Sequence, residues 1–461
     1  MITPYKRLSV LSVAMGISLL LAQTGYAETS QPVPKGLTLN DALAQAYLKN
    51  PDLEAIRAEL RSVDENYVQA MAGFKPTLNG VADYTSTSDE AVHTDPKTLA
   101  LAVTQPLYNG GSTVAGVDQA DNTIKAERAK LGVTEQQVLL DAVTAYMNLY
   151  RDQDIVQLNL NNEKVLTGRL EEAKERFQLG DVTKTDVSQA QSRLDKATAD
   201  RVTSEGTMQQ SRATFERVIG LPPEGLQKPV LTTKFPPTED DAVAQALLKN
   251  PSIALTKYSE DAVKANTRAL EGGNLPQIAL TGSVGKVYTP TDSSVLSEEN
   301  AKTIELTATI PLYAGGSTLS KIRQSKQTEN QLRMQAQSAE HVVREAVIQA
   351  WEGLAAAQAE SGALQSQIDA AKLALEGVQV EMNTGTRTTL DLLDAQQEYL
   401  TAQVSYVSAE RDRIVASYSL LSALGNLTAE DMKLNVELYN PVKNFQNLQG
   451  LAFGGPFHGD K

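Results

Sequence analysis

The residues best equipped for chemistry in this sequence are two carboxylates. Asp391 and Asp394 stand three apart in the run TTLDLLDAQQ, so on a helix they share one face. Leu390, Leu393, Leu400, Val404 and Val407 keep heptad spacing beside them and are expected to pack inward between helices, leaving the acids at the edge of that seam. Such a pair can serve as the acid and base of a hydrolase, line a lumen where it favours cations, or simply solvate a helix face. The hydrolase reading is weak, because no binding cleft is predicted around the pair. Arg387 follows the turn glycine Gly385 and is either a solvated tip charge or a partner for neighbouring helices. Other catalytic apparatus is missing. With no Cys there is no thiolate nucleophile, disulfide or thiolate zinc site. The three histidines, His93, His341 and His458, fall in a loop, mid-helix and in the tail. No metalloprotease, nucleophile-elbow, Walker or dinucleotide motif occurs. Gly110-Gly111-Ser112 and Gly315-Gly316-Ser317 could form a phosphate nest at a helix start, but a strand-to-helix transition explains them more simply. Trp351, Tyr146 and Tyr150 read as packing residues. The expectation is no bond chemistry and no cofactor.

The elements that must position these residues follow from composition and repetition. Of 461 residues, 41% are hydrophobic, only 5% aromatic and 21% charged, which favours helices built on aliphatics and alanine. A formal charge of -14 argues against nucleic acid as a partner. Residues 1–27 read as a secretory signal peptide: Lys6 and Arg7, an apolar run from Leu8 to Ala22 too short to span a bilayer, and a small-residue site at Gly25-Tyr26-Ala27.

The remainder is one unit written twice. Asp41–Pro51 (DALAQAYLKNP) recurs as Asp241–Pro251 (DAVAQALLKNP), identical at nine of eleven positions. Pro106-Leu107-Tyr108 recurs as Pro311-Leu312-Tyr313, each followed by a glycine pair. Gly180, Asp186, Ala190 and Gln191 recur as Gly385, Asp391, Ala395 and Gln396. The offset grows from 200 to 205 between these landmarks, placing a five-residue insertion in a surface loop of the second copy. The first repeat is assigned to 28–222 and the second to 238–432, with a proline-rich connector at 223–237 and a flexible tail at 433–461.

Within each repeat, Thr38 and Thr238 precede Asp41 and Asp241 at capping-box spacing, and Asn50-Pro51 and Asn250-Pro251 stop one helix and start another. Hairpins of alternating residues follow at about 77–108 and 277–313. Their strands are long enough to cross a bilayer when tilted, with Tyr84, Tyr108, Tyr288 and Tyr313 placed as interfacial aromatics; a soluble hairpin with one wet face has the same pattern. Long helices at about 113–178 and 318–383, each about 99 Å at 1.5 Å per residue, contain no proline. Return helices run at about 184–219 and 388–424. Rods of this length cannot fold inside one compact domain and must pack against others.

Four membrane strands cannot close a barrel, and lipid tolerates no open strand edge, so several chains must share one. The duplicated architecture, the DALAQA…NP helix, the P-L-Y-x-G-G exit from the hairpin, and Gly385-Thr386-Arg387-Thr388 followed by Asp391-Leu392-Leu393-Asp394-Ala395 together resemble the TolC family of outer-membrane efflux and secretion channels, over residues 37 to 432. The resemblance implies a mainly α fold with a small β part: a homotrimer with one 12-stranded β-barrel, long antiparallel coiled-coil helices forming a periplasmic tunnel, and an equatorial domain. It implies residence in outer-membrane lipid of a Gram-negative bacterium, and docking to a periplasmic adaptor and an inner-membrane RND or ABC transporter. By the same resemblance, Asp391 and Asp394 form a selectivity ring at the periplasmic aperture, and Arg387 latches it through Thr185 and Asp186. The tips Gly180, Asp181, Val182, Gly385 and Thr386 touch the adaptor. The family pattern expects a tyrosine three residues before the tip glycine, where this chain has Met382. The rival expectation is a periplasmic adaptor or coiled-coil scaffold, which would carry one helical hairpin flanked by β-domains instead of two copies each with a membrane-length hairpin.

Overall fold

The computed structural model describes residues 36–88, 93–94, 97–229, 235–290 and 296–449. The expected signal peptide, part of the connector (230–234), the end of the tail (450–461) and His458 lie outside the described residues.

Local chemistry sets each element. Helix α1 (Leu39–Lys49) opens on a capping box: Asp41 N–H donates to the Thr38 hydroxyl (3.2 Å), and the Asp41 carboxylate accepts from Thr38. Asn50 then ends α1 and starts α2 (Pro51–Ala72). Its Oδ1 accepts from Asp52 N–H at 2.9 Å, and its Nδ2 donates to the Val218 carbonyl at 3.2 Å, near the end of the return helix. The second repeat builds the same joint. Helices α5 (Glu239–Lys249) and α6 (Pro251–Gly272) meet at Asn250, which caps Ser252 at 2.9 Å and donates to the Ala423 carbonyl at 2.9 Å. One asparagine per repeat therefore satisfies both a helix start and a returning helix end.

Strand β1 (Thr77–Tyr84) is followed by the two-residue strands β2 (Thr87–Ser88) and β3 (His93–Thr94) and by β4 (Lys97–Asn109); the second hairpin is β5 (Gln277–Pro290) and β6 (Leu296–Thr309). The two hairpins join in one antiparallel sheet of order β1-β4-β5-β6. Register partners share a face, so the sheet's character reads directly from its rows. Leu78, Val103, Gly282 and Ile304 form one row; Asn79, Ala102, Ser283 and Thr303 form the next, on the opposite face. One face carries Leu78, Leu99, Leu101, Val103, Val284, Ile304 and Leu306, with Lys286, Asn300 and Lys302 joining it toward the hairpin end of β5 and β6, and the other carries mainly Thr, Ser and Ala. The β4–β5 register shifts between Pro106 and Tyr108, where Pro106 has no N–H for the ladder. Strands β1 and β6 are left as unpaired edges.

The sheet feeds α3 (Ser112–Leu179, 68 residues) and α7 (Ser317–Asn383, 67 residues), each about 100 Å long at 1.5 Å per residue. At the first junction Gly110 adopts φ +67, and a Cβ there would lie 2.0 Å from the Gly272 carbonyl oxygen, so only glycine allows that approach. Return helices α4 (Lys184–Ile219) and α8 (Thr389–Ala423) complete two helical hairpins. Among the described residues no helix is long and apolar enough to cross a membrane.

The main core lies midway along the rods, where α1, α2, α3, α4 and α8 converge on Leu43, Leu53, Leu139, Phe215 and Tyr418. Tyr146 reads the connector there: its hydroxyl donates to the Gln227 carbonyl (2.7 Å), beside that of Leu37 (2.8 Å), and accepts from Gln227 N–H (3.0 Å). Burial pushes its hydroxyl pKa up to about 12. A second cluster joins α5, α7 and α8 through Val243, Val347 and Leu420, with Trp351 packed beside it. Trp351 and Tyr146 are packing residues, as expected.

The part of the tail within the described residues, up to Gln449, lies along the main core. Leu434 is buried, and Val436 and Tyr439 pack on the main core. Tyr439 N–H donates to the Tyr47 hydroxyl at 3.0 Å, and the Arg57 guanidinium lies 4.6 Å from the Tyr47 ring and 5.1 Å from the Tyr439 ring. A short helix, α9 (Lys443–Gln449), sets Asn444 Nδ2 2.9 Å from Asp64 and Phe445 edge-on to Tyr67. Residues 434–449 thus carry apolar and polar contacts to α1 and α2.

Candidate functional site

The far ends of the helical hairpins carry the expected site residues. Both tips turn in the same way. Gly180 (φ +78) donates its N–H to the Phe177 carbonyl, and Asp181 to that of Arg176; Gly385 (φ +82) donates to Met382, and Thr386 to Glu381. These left-handed glycines close the helix ends. Asp181 and Thr386 are exposed and Val182 is half-buried.

Each return helix opens on a capping box. Thr183 N–H and Oγ1 each lie 2.8 Å from Asp186 Oδ2, and Thr388 N–H and Oγ1 lie 2.9 and 2.7 Å from Asp391 Oδ2. Asp391 therefore has a structural duty. The signal was present in the sequence, since Thr388-x-x-Asp391 repeats the Thr38-x-x-Asp41 spacing. The Thr388 hydroxyl and N–H, with Arg387 beside them, hold the Asp391 carboxyl below the usual range; Asp186 is likewise lowered, by the Thr183 N–H first and then its hydroxyl. The sign follows: with a folded pKa below the unfolded one, the caps' contribution is present above the ordinary aspartate range and is lost as pH falls through the lowered folded value.

Arg387 Nε sits 3.0 Å from Glu381 and its Nη1 3.8 Å from Asp391. These are its ion pairs among the described residues. Thr185 and Asp186 open the other hairpin's return helix, where Thr183 engages Asp186; one chain does not bring them onto Arg387 among the described residues. Met382 is buried and lines a small cavity between the hairpins with Arg169, Arg176, Val182 and Leu392. It fills by packing the place where a tyrosine was expected. Leu393 and Leu400 of the predicted seam are buried, while Leu390 is 39% exposed and its place is taken by Leu392.

Asp394 is exposed, but it is not free. Arg193 Nη2 of α4 reaches its Oδ1 at 2.5 Å, a contact spanning 201 positions. Sequence reading missed Arg193, because nothing local marks a partner so distant. Next to the pair, Leu166, Leu194, Ala197 and Leu393 form an apolar joint between α3, α4 and α8.

At the opposite end, Tyr84 and Tyr288 both register against Lys97, whose Nζ lies 5.7 Å from the Tyr84 ring centre. Tyr108 registers against Ile278 near the helix end of the sheet, and Tyr313 follows β6 and is exposed. Tyr84 and Tyr288 thus stand at the end of the sheet away from the long helices, and Tyr108 and Tyr313 at the end that joins them.

With this geometry in hand, comparison with known proteins is direct. Residues 42–221 and 242–426 match the outer membrane efflux protein family, and the chain belongs to it. It is 34% identical over 434 residues to the outer membrane efflux protein BepC of Brucella suis, covering 94% of this chain and 93% of that one. It is 28% identical to the outer membrane protein TolC of Vibrio cholerae, covering 84% and 90%. The fold superposes on the crystal structure of the Campylobacter jejuni CmeC outer membrane channel with a TM-score of 0.77 at 14% identity, over 96% and 98% of the chains. The protein is an outer-membrane channel of the efflux and secretion type and not an enzyme.

Proposed function

We propose that three copies assemble into a single conduit, each giving four strands to a 12-stranded barrel in outer-membrane lipid and two helical hairpins to a tunnel through the periplasm. The observation that carries this reading is the sheet: four strands, one face rich in Leu, Val and Ile from the row of Leu78 to that of Leu101, with both outer edges unpaired among the described residues. In lipid each unsatisfied backbone group costs several kcal/mol, so β6 of one copy must pair with β1 of the next. The conduit is passive. Energy and choice of cargo come from an inner-membrane RND or ABC transporter, joined through a periplasmic adaptor that contacts the tips around Gly180, Asp181, Val182, Gly385 and Thr386. The adaptor or scaffold alternative has no comparable support, since two membrane-length hairpins have no use in it.

In this assembly Asp391 and Asp394 ring the periplasmic aperture, and Arg387 meets Thr185 and Asp186 of a neighbouring copy to hold it closed. Carboxylates around a narrow axis favour cations. Asp391→Ala with Asp394→Ala is expected to lower the cation-to-anion permeability ratio in planar bilayers. An unchanged ratio would remove both residues from the ring.

A further inference from the structure

The ring proposed above counts two carboxylates per chain, yet the two differ in their surroundings. Asp391 Oδ2 is held by its own helix cap, and Arg387, the cation nearest it, is shared with Glu381 at the closer distance. Asp394 has a dedicated cation: Arg193 Nη2 at 2.5 Å from its Oδ1. The pair is held in register by its neighbours in sequence, since Leu194 and Leu393 pack together with Leu166 and Ala197. The Arg193 side chain is 31% exposed and that of Asp394 58% exposed, so the contact adds little stability. Its consequence is electrostatic. A cation and an anion this close act on a passing ion as a dipole, whose field decays within a Debye length of about 8 Å at physiological salt.

Resting on the ring reading, we propose that Arg193 is a specificity-determining residue of the aperture: it neutralises Asp394 from within the same chain, leaves Asp391 as the effective selectivity charge, and ties the first helical hairpin to the second. The aperture of the assembly then acts with about half of its ring charge, and part of its cation preference is held in reserve behind a side chain on α4.

The test uses the full-length assembly in planar bilayers, reading permeability ratio from reversal potential at low salt. Arg193→Gln frees one carboxylate per copy and is expected to raise the cation-to-anion ratio about two- to threefold, from the Coulomb energy of the added charges at ring distance with screening. Arg193→Lys keeps the charge and should hold the wild-type ratio. Asp394→Asn alone leaves Arg193 unopposed and should lower the ratio. Arg193→Gln with Asp394→Asn removes both charges and should return it to near wild type, a signature that simple loosening of the tip does not produce. If Arg193→Gln leaves the ratio unchanged while Asp391→Ala/Asp394→Ala lowers it, the counter-charge inference is overturned and the ring stands. If the double alanine variant also leaves it unchanged, the ring itself is wrong.

Discussion

Ile304→Lys is expected to abolish insertion of the assembly into the outer membrane, while Thr303→Lys, one residue away, is tolerated. Ile304 is 84% exposed in the single chain and lies in the row Leu78–Val103–Gly282–Ile304 at mid-strand. A lysine on the lipid face near the bilayer midplane costs about 2–4 kcal/mol. In the proposed assembly three copies bring three such lysines to one barrel, so the total is comparable with the whole stability of a typical domain, about 5–15 kcal/mol. Thr303 points to the other face, in the row with Asn79, Ala102 and Ser283, which in the proposed barrel faces the water of the lumen. Membrane fractionation of the two variants reads the difference. Equal insertion of both would show that the apolar face does not meet lipid.

Phe215→Ala is expected to produce the largest loss in the periplasmic part. Phe215 is fully buried where α4 returns to the main core, its ring 6.2 Å from that of Tyr146. Truncating a buried phenylalanine costs about 3–5 kcal/mol through lost contacts and the cavity left behind. The detergent-solubilised variant should unfold at a clearly lower temperature than wild type and be cut by trypsin near the middle of the rods under conditions where wild type resists. Tyr146→Phe is the graded comparison. It keeps the ring but removes the hydroxyl from the Leu37 and Gln227 carbonyls, while Gln227 N–H keeps the Leu37 carbonyl at 3.1 Å, for a smaller loss of about 0.5–1.5 kcal/mol. A wild-type melting temperature for Phe215→Ala would mean that this core does not limit stability.

What was legible in the sequence was local. Thr38, Asn50, Asn250 and the tip glycines announce their turns because a cap or a left-handed φ depends on one or two neighbouring residues. The doubled pattern revealed two equivalent units, and alternation marked the strands. Three features were not legible. The merging of the hairpins through β4 and β5 joins residues far apart in the chain, such as Leu101 and Val284. The Arg193–Asp394 pair depends on how α4 passes α8, and periodicity within either helix carries no information about that passage. The tail's contacts are likewise silent in the sequence, since Asn444 and Phe445 look like loop composition until Asp64 and Tyr67 are placed opposite them. Conversely, the capping box at Asp391 is legible from spacing alone, since Thr388 precedes Asp391 as Thr38 precedes Asp41.

In the proposed assembly a sheet with two open edges, joined to rods of about 100 Å, is complete only when copies share it. The most direct measurement is the native mass and shape of the protein extracted from outer membranes in mild detergent. A particle containing three chains and elongated along one axis is the expected result. A compact particle containing one chain would contradict it.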